Sequence, residues 1–452
     1  MGQKLKGIQY LTIASMLFGL FFGAGNLIFP VHMGQLAGRA VWPAVGGFLV
    51  TGVGLPLLGV IALGLSRCNG LAELSTRVGK RYSLFFTCAL YLTIGPFFAI
   101  PRCATVPFEV GVLPLLAGGG SHTGALAAFS LAFFLAVLWF SLRPGKILTW
   151  VGKVLNPVFL VFLGLLMAAA LLNPLGQISQ IPPEPAYAQG AFFQGFLEGY
   201  NTMDALAGLA FGIVVVNVIR GLGVQQPGEI ARSTVKAGLL SGAIMAGIYI
   251  AVTVAGAQTR GAYPLNANGG ETLLVIANHY FGTAGGVILA GTVTFACLKT
   301  AVGLITSCGE TFQELFPSRF GYPGWAVLFC IVSFLVAILG LEAIIAYSLP
   351  VLMFLYPLAI TLILLTLFGG LFGNDRRVYA WATGFTLAAA VFDFIKALPA
   401  GARGALHLDG LVALAERVLP FFSLGLGWLV PAAVGLAVGL ALHLLRPQAS
   451  QS

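Results

Sequence analysis

Three short stretches of this 452-residue chain place polar or conformationally permissive residues inside otherwise apolar runs. The first is "FFGAGNLIFP", residues 21–30, centred on Gly23, Ala24, Gly25 and Asn26. The second is "LEGYNTMDALAGLAFGIVVV", residues 197–216, which groups Tyr200, Asn201, Thr202 and Asp204. The third, "GTVTFACLKTAVGLITSCGETF", contains Lys299, Thr300 and Thr306. No histidine lies near these hydroxyls in sequence, so a nucleophile with its base is not assembled. All five histidines fall in loops or near the ends of apolar runs, which gives a metal site no support. What the stretches offer is backbone. Glycine permits unwinding and close approach of a ligand to the main chain. A helix interrupted at membrane depth exposes N–H groups that favour a carboxylate and C=O groups that favour an amine or a cation.

The elements that must hold these stretches follow from composition. The chain is 58% hydrophobic and only 8% charged, whereas soluble domains are about one quarter charged. No soluble shape hides that much apolar surface, so the chain reads as an all-α polytopic membrane protein with the bilayer as solvent. The net charge of +9 is not a nucleic-acid signal, because the basic residues sit in short loops between apolar runs. Lys4 and Lys6 precede an apolar run without a small-x-small cleavage site, which reads as an uncleaved first span. The six cysteines lack metal-like spacing and read as small core residues.

Twelve spans are expected, near 8–31, 41–65, 83–113, 124–142, 150–172, 192–219, 234–256, 283–308, 324–340, 343–368, 378–397 and 419–445. The third is long enough to be tilted or broken near Pro96 and Pro101. With the N-terminus inside, the cytoplasmic side receives Lys4, Lys6, Arg67, Arg77, Lys80, Arg81, Arg143, Lys146, Lys153, Arg220, Arg232, Lys236, Arg319, Arg376, Arg377 and Arg446. Only Arg39, Arg260, Lys396, Arg403 and Arg417 fall outside, so positive charge places both termini in the cytoplasm. The stretch Thr259 to Gly282 has apolar positions at helical spacing and reads as an external helix.

Each stretch also has a plainer reading. Gly19, Gly23 and Ala24 would serve close helix packing, but a mid-span Asn26 needs partners that packing does not supply. Asp204 would lie about 9 Å deeper than Glu198; a carboxylate there is costly and usually functional, unless the segment is only a wet helix start. Lys299 lies roughly 14 Å of helix from Cys308, so it either snorkels to the surface or faces the bundle interior. Arg102 and Glu109 could pair or line a pathway, Tyr347 and Ser348 precede a local break at Pro350, and Asp393 with Lys396 reads as a surface pair. Span 1 begins inside and span 6 outside, with five spans between their starts. That is the relation of a five-plus-five inverted repeat whose broken first helices meet at the midplane. It divides the chain into 1–172, 173–368 and two extra spans in 369–452.

"FGAGNLIFP", "GPFFAIPRCATVPFEVG", "GYNTMDALAGLAFGIVVVN" and "ACLKTAVGLITSCGETF" together resemble, in order, the bacterial branched-chain amino-acid:cation symporters, the LIV-II carriers. The resemblance covers nearly the whole chain and implies a LeuT-type fold. It implies uptake of leucine, isoleucine and valine across the bacterial cytoplasmic membrane, driven by a cation gradient; the chain itself is expected to work as a monomer in lipid, without nucleic acid. It implies no cofactor beyond sodium or a proton as coupling ion. By that pattern, the N–H groups of Ala24 and Gly25 take the substrate carboxylate beside Asn26. Carbonyls around Phe21, with carbonyls or hydroxyls near Thr202 to Asp204, take the amine. Phe97, Phe98 and Leu304 are candidates by position for the apolar pocket. Gly19, Phe22, Ala296 and Thr300 match the general cation site. Lys299 departs from the pattern, which has a hydroxyl there. Its ammonium would replace sodium and leave proton coupling or cation-independent exchange as alternatives.

Other classes of function fit less well. A channel needs a ring of carbonyls or charges around a pore, which one pseudo-twofold chain does not supply. An enzyme lacks its reacting groups. A sensor that binds amino acids without moving them shares the same binding residues.

Overall fold

A computed structural model describes residues 5–116, 122–143, 156–224, 226–317 and 320–445. Lys4, Lys146, Lys153, Arg319 and Arg446, residues 150–155 of the fifth expected span and the tail after Leu445 lie outside the described residues. Among the described residues the regular structure is entirely helical.

The first expected span is two helices, α1 (Gly7–Phe21) and α2 (Gly25–Ala37). α2 runs past the expected end at Val31 because Met33, Gly34, Gln35 and Ala37 are buried in protein. A hydropathy pattern marks where lipid contact ends, and this end is not in lipid. α3 (Val41–Leu49) and α4 (Leu55–Ser66) continue each other through a wide turn at Val50–Gly54. After the short α5 (Leu71–Ser75), the third span is α6 (Lys80–Leu92) and α7 (Ala99–Pro107). They are joined at Thr93–Phe97, where Gly95 leaves helical geometry with φ −95° and ψ −123°. The break thus falls beside Pro96, whereas Pro101 sits in the first turn of α7, where a missing N–H costs little.

α8 (Thr123–Ser141) and α9 (Asn156–Leu172) precede the second broken span. There α10 (Pro185–Glu198) ends in a tight turn at Gly199–Thr202, Met203 is left-handed with φ 62°, and α11 (Asp204–Gly221) restarts. α12 (Pro227–Thr259) begins with proline in its first turn. α13 (Gly269–Leu315) is two helices in one. Its first part, a helix where the sequence places apolar residues at helical spacing, is capped by the Asn268 side chain and bends at Gly282, whose φ of 59° suits glycine. α14 (Gly321–Ala337), α15 (Leu341–Leu367), α16 (Arg376–Ala397), α17 (Ala400–Ala405), α18 (Asp409–Val418) and α19 (Leu429–Leu444) complete the chain. The last helix starts ten residues later than expected, since Phe421 and Gly425 are left-handed. Among the described residues, eight helical stretches are long and apolar enough to cross a membrane, and four shorter apolar helices accompany them.

Small residues set the tightest contacts. Gly34 of α2 lies on the Thr253 carbonyl of α12, and Gly256 of α12 lies on the Val31 carbonyl of α2. This reciprocal backbone contact is how helices bind where lipid removes a hydrophobic drive. Leucines and valines stand exposed around the bundle, among them Val161, Leu172, Leu239 and Val287, as a lipid-facing surface requires. Polar ties gather at the two ends. Arg77 donates to Asn374 and Tyr379 at one, and Arg260 meets Glu184 and the Gln35 carbonyl at the other. Asp393 and Lys396 are not a surface pair. Asp393 is fully buried, and Lys396 donates to the carbonyls of Phe422 and Ser423 at 2.7 and 3.1 Å.

Candidate functional site

The first break is shaped by one side chain. α1 ends where the Phe22 N–H closes on the Phe18 carbonyl. The next N–H, of Gly23, turns to the Asn26 Oδ1 at 2.8 Å. In an unbroken helix it would bond the Gly19 carbonyl, which therefore loses that partner. The N–H groups of Ala24 and Gly25, at the head of α2, have no partner among the described residues. They stand at the positive end of a helix dipole, a ready anion site. A Cβ on Gly25 would meet the Phe29 ring at 3.3 Å and the Thr202 Cα at 3.7 Å, so this glycine keeps the two breaks in contact.

The second break is held from several sides. The Thr202 hydroxyl donates to the Gly199 carbonyl at 2.9 Å and accepts the Asp204 N–H at 3.3 Å. The Asn201 carbonyl accepts from Arg102 Nη1 at 2.8 Å. Asp204 is buried in the first turn of α11. Its Oδ2 accepts from the Asn26 amide at 2.5 Å and from the Tyr249 hydroxyl of α12 at 3.3 Å, and the Asn26 amide also reaches Tyr249 at 2.5 Å. Asn26 thereby uses its oxygen on its own break and its nitrogen on the other. It latches the two broken spans together across 178 residues of sequence.

A cavity of about 340 Å³ lies against this latch. Its walls include Phe21, Ala24, Gly25, Asn26, Thr202 and Asp204, with Ile94, Ala99, Arg102 and Cys103 from the third span and Leu304 from α13. It extends along α11 and α13 to Val214, Thr306, Ser307 and Glu310. Polar backbone at one end and apolar side chains along the walls suit a small zwitterion with an aliphatic tail. A second cavity of about 20 Å³ adjoins it, lined by Gly19, Phe22, Ala296, Lys299 and Thr300 among others. That volume holds one water-sized species. The Thr300 hydroxyl donates to the Ala296 carbonyl at 3.1 Å. Lys299 borders both cavities, and its ammonium forms no hydrogen bond or ion pair with another described residue.

The chain matches the family described as branched-chain amino acid transport protein over residues 6–446. It belongs to that family. A branched-chain amino acid permease BrnQ of Lactobacillus delbrueckii subsp. lactis is 52% identical over 438 residues, 97% of either chain. A BrnQ of Bacillus subtilis (strain 168) is 41% identical over 450 residues, the full length of both. Among solved structures, the inward facing conformation of Mhp1 superposes with a TM-score of 0.62 at 13% identity, over 96% of this chain and 90% of that one. The family is one of transport proteins, not enzymes, and the fold is the LeuT-type fold that the sequence motifs implied.

Within this family member the expected site residues divide by place. Phe21, Gly25, Asn26, Thr202, Asp204 and Leu304 line only the larger cavity; Phe22 and Ala296 line only the smaller; Gly19, Ala24, Lys299 and Thr300 line both. Phe97 and Phe98 line neither. The wide turn at Thr93–Phe97 rotates the third span, so that Ile94, Ala99 and Cys103 face the cavity instead. Arg102 and Glu109 do not pair; Glu109 accepts from Asn268 at 3.4 Å. Tyr249 was not singled out in the sequence. Its only signal there is a hydroxyl in the apolar run "AGIYIAV".

Proposed function

We propose that the chain imports leucine, isoleucine and valine across the bacterial cytoplasmic membrane by cation-coupled symport with alternating access. The observation that carries this reading is the pair of unpartnered N–H groups at Ala24 and Gly25, opening onto a mainly apolar cavity. The substrate carboxylate binds those N–H groups. Its ammonium meets the carbonyl of Phe21 and the acceptors around Thr202 and Asp204, and Leu304 contacts the branched side chain. Kinship with branched-chain amino acid permeases supports the substrate class. The two breaks support a division into 1–172, 173–368 and 369–452, with twelve spans and both termini in the cytoplasm. With that orientation the cavity opens inward, past Thr306, Ser307 and Glu310. The chain acts as a monomer in lipid, without nucleic acid.

The coupling ion is the second element of the proposal. The small cavity admits one cation, and Lys299 is at its wall. Two positive charges in so small a volume repel strongly. Lys299 therefore takes the place of sodium, which makes the proton the coupled cation, with cation-independent exchange as the alternative. The rival within this reading is sodium symport through Gly19, Phe22, Ala296 and Thr300, with Lys299 turned to the larger cavity. Leucine uptake into proteoliposomes under a sodium gradient at constant pH, set against a pH gradient without sodium, decides between them. Accumulation with the pH gradient alone, or leucine exchange without either gradient, is expected. Strict dependence on sodium would overturn the role given to Lys299. Failure to move leucine in any arrangement would overturn transport itself.

A further inference from the structure

Arg102 stands at the end of the cavity opposite Thr306, Ser307 and Glu310. It is 3% exposed. A guanidinium buried this deeply ordinarily needs a carboxylate to offset its lost hydration. Among the described residues Arg102 has none within ion-pairing distance. Nη1 donates to the Asn201 carbonyl at 2.8 Å, and Nη2 donates to the Ser348 hydroxyl of α15. The Phe29 ring of α2 lies 5.0 Å from the guanidinium carbon, and Nε has no partner. One side chain of α7 thus ties together the second break, α15 and α2, using neutral groups only.

Two physical consequences follow. A buried cation held by neutral acceptors is bound less tightly than one paired with an acid, so this tie can be broken and remade. The acceptor it occupies also matters. The Asn201 carbonyl belongs to the second break, where freed carbonyls are the natural partners of a bound ammonium. Arg102 and the ammonium compete for that oxygen.

We propose that Arg102 is a positioning residue of the transport cycle. It holds the Asn201 carbonyl and Ser348 while the outer side is closed, and releases both as that side opens. The second break then offers one more acceptor to substrate from outside than it does toward the cytoplasm. Only such a difference between states lets substrate binding drive the change. This inference rests on the transport reading and the orientation above.

The test uses Ala99→Cys as a reporter, since Ala99 lines the cavity one turn from Arg102 on the Thr306 side. Native cysteines are replaced by alanine, and a membrane-impermeant maleimide is added outside right-side-out vesicles. Ser348→Ala removes one acceptor and leaves the guanidinium in place. Arg102→Lys keeps the charge and loses the fork that bridges two acceptors. Either change is expected to raise outside labelling about tenfold, the effect of one hydrogen bond to a charged group. It should also lower both KM for external leucine and kcat, because more of the protein waits open outward. Labelling and KM unchanged in Ser348→Ala would overturn the proposal, whatever happens to uptake; that variant alone decides if Arg102→Lys does not reach the membrane. Loss of leucine transport in the parent chain would count against the transport reading, and the labelling comparison would still be readable.

Discussion

At the first break the helix stops at Phe21, restarts at Gly25, and leaves the N–H groups of Ala24 and Gly25 without partners among the described residues. At the second, the turn from Gly199 to Met203 is tied by Thr202 inside and by Arg102 outside, and the new helix opens with its own carboxylate, Asp204. Among the described residues nothing caps the positive end of α2, while that of α11 already has a carboxyl group, Asp204, in its first turn. A zwitterion meeting both breaks has one favourable direction, with its carboxylate toward α2 and its ammonium toward the acidic, carbonyl-bearing turn. The two breaks are alike in position and opposite in what they offer, N–H donors at one and a carboxyl group with carbonyls at the other. That difference gives a pseudo-symmetric fold an oriented ligand.

The comparison breaks most severely at Gly25. Gly25→Val would push a branched side chain into the Phe29 ring and toward the Thr202 backbone, which a Cβ alone would meet at 3.3 and 3.7 Å. The exposed N–H groups would shift relative to the second break. Leucine uptake is expected to fall by about 100-fold or more, the scale of loss for an ångström of misplacement, with the protein still folded in detergent. Near-normal uptake by Gly25→Val would mean that the carboxylate does not sit at the head of α2.

Next in size are changes to the latch. Asn26→Ala removes an amide that serves both breaks and leaves the buried Asp204 with one donor fewer. Each hydrogen bond lost this way leaves a buried polar group unsatisfied, at about 1–3 kcal/mol, and Asn26 makes three of them. Tyr249→Phe removes one hydrogen bond to that carboxylate, about 1.5–3 kcal/mol. Thermal unfolding in detergent should rank the parent above Tyr249→Phe, and that variant above Asn26→Ala. Two equal and small losses would show that the breaks are held together elsewhere.

How far the sequence reveals these features depends on how local their causes are. The first break is visible in Gly23-Ala24-Gly25-Asn26 because the unwinding is set by residues within four positions of one another. The helix ahead of Gly282 is visible for the same reason, through its periodicity. The latch is only half visible. Asn26 and Asp204 stand out as costly mid-span polar groups, but nothing local says that they meet, or that Tyr249 completes them. Arg102 likewise shows its cost in the sequence and hides its partners, Asn201 and Ser348, which arrive from other helices. Asp393 reads as exposed because it lies near a helix end, whereas the backbone at Gly427 and Trp428 covers it. Facing is hardest to read, since one wide turn re-aims everything after it.

That last point yields the smallest effect and the sharpest contrast. Leu304 lines the cavity, and truncating it removes apolar contact with a branched substrate. Leu304→Ala should raise KM for leucine by roughly tenfold, the scale of one to three kcal/mol for lost apolar contact in a pocket. Phe97 is a larger side chain in the same part of the sequence as the third-span wall, yet it is 41% exposed and lines neither cavity. Its ring packs edge-on against Phe98 with centroids 6.4 Å apart. Phe97→Ala should therefore leave KM within about twofold of the parent, since surface truncations away from a site change little. If Phe97→Ala raises KM as much as Leu304→Ala does, the wide turn at Thr93–Phe97 does not rotate the third span as described, and the apolar wall belongs to the phenylalanines rather than to Ile94, Ala99 and Cys103.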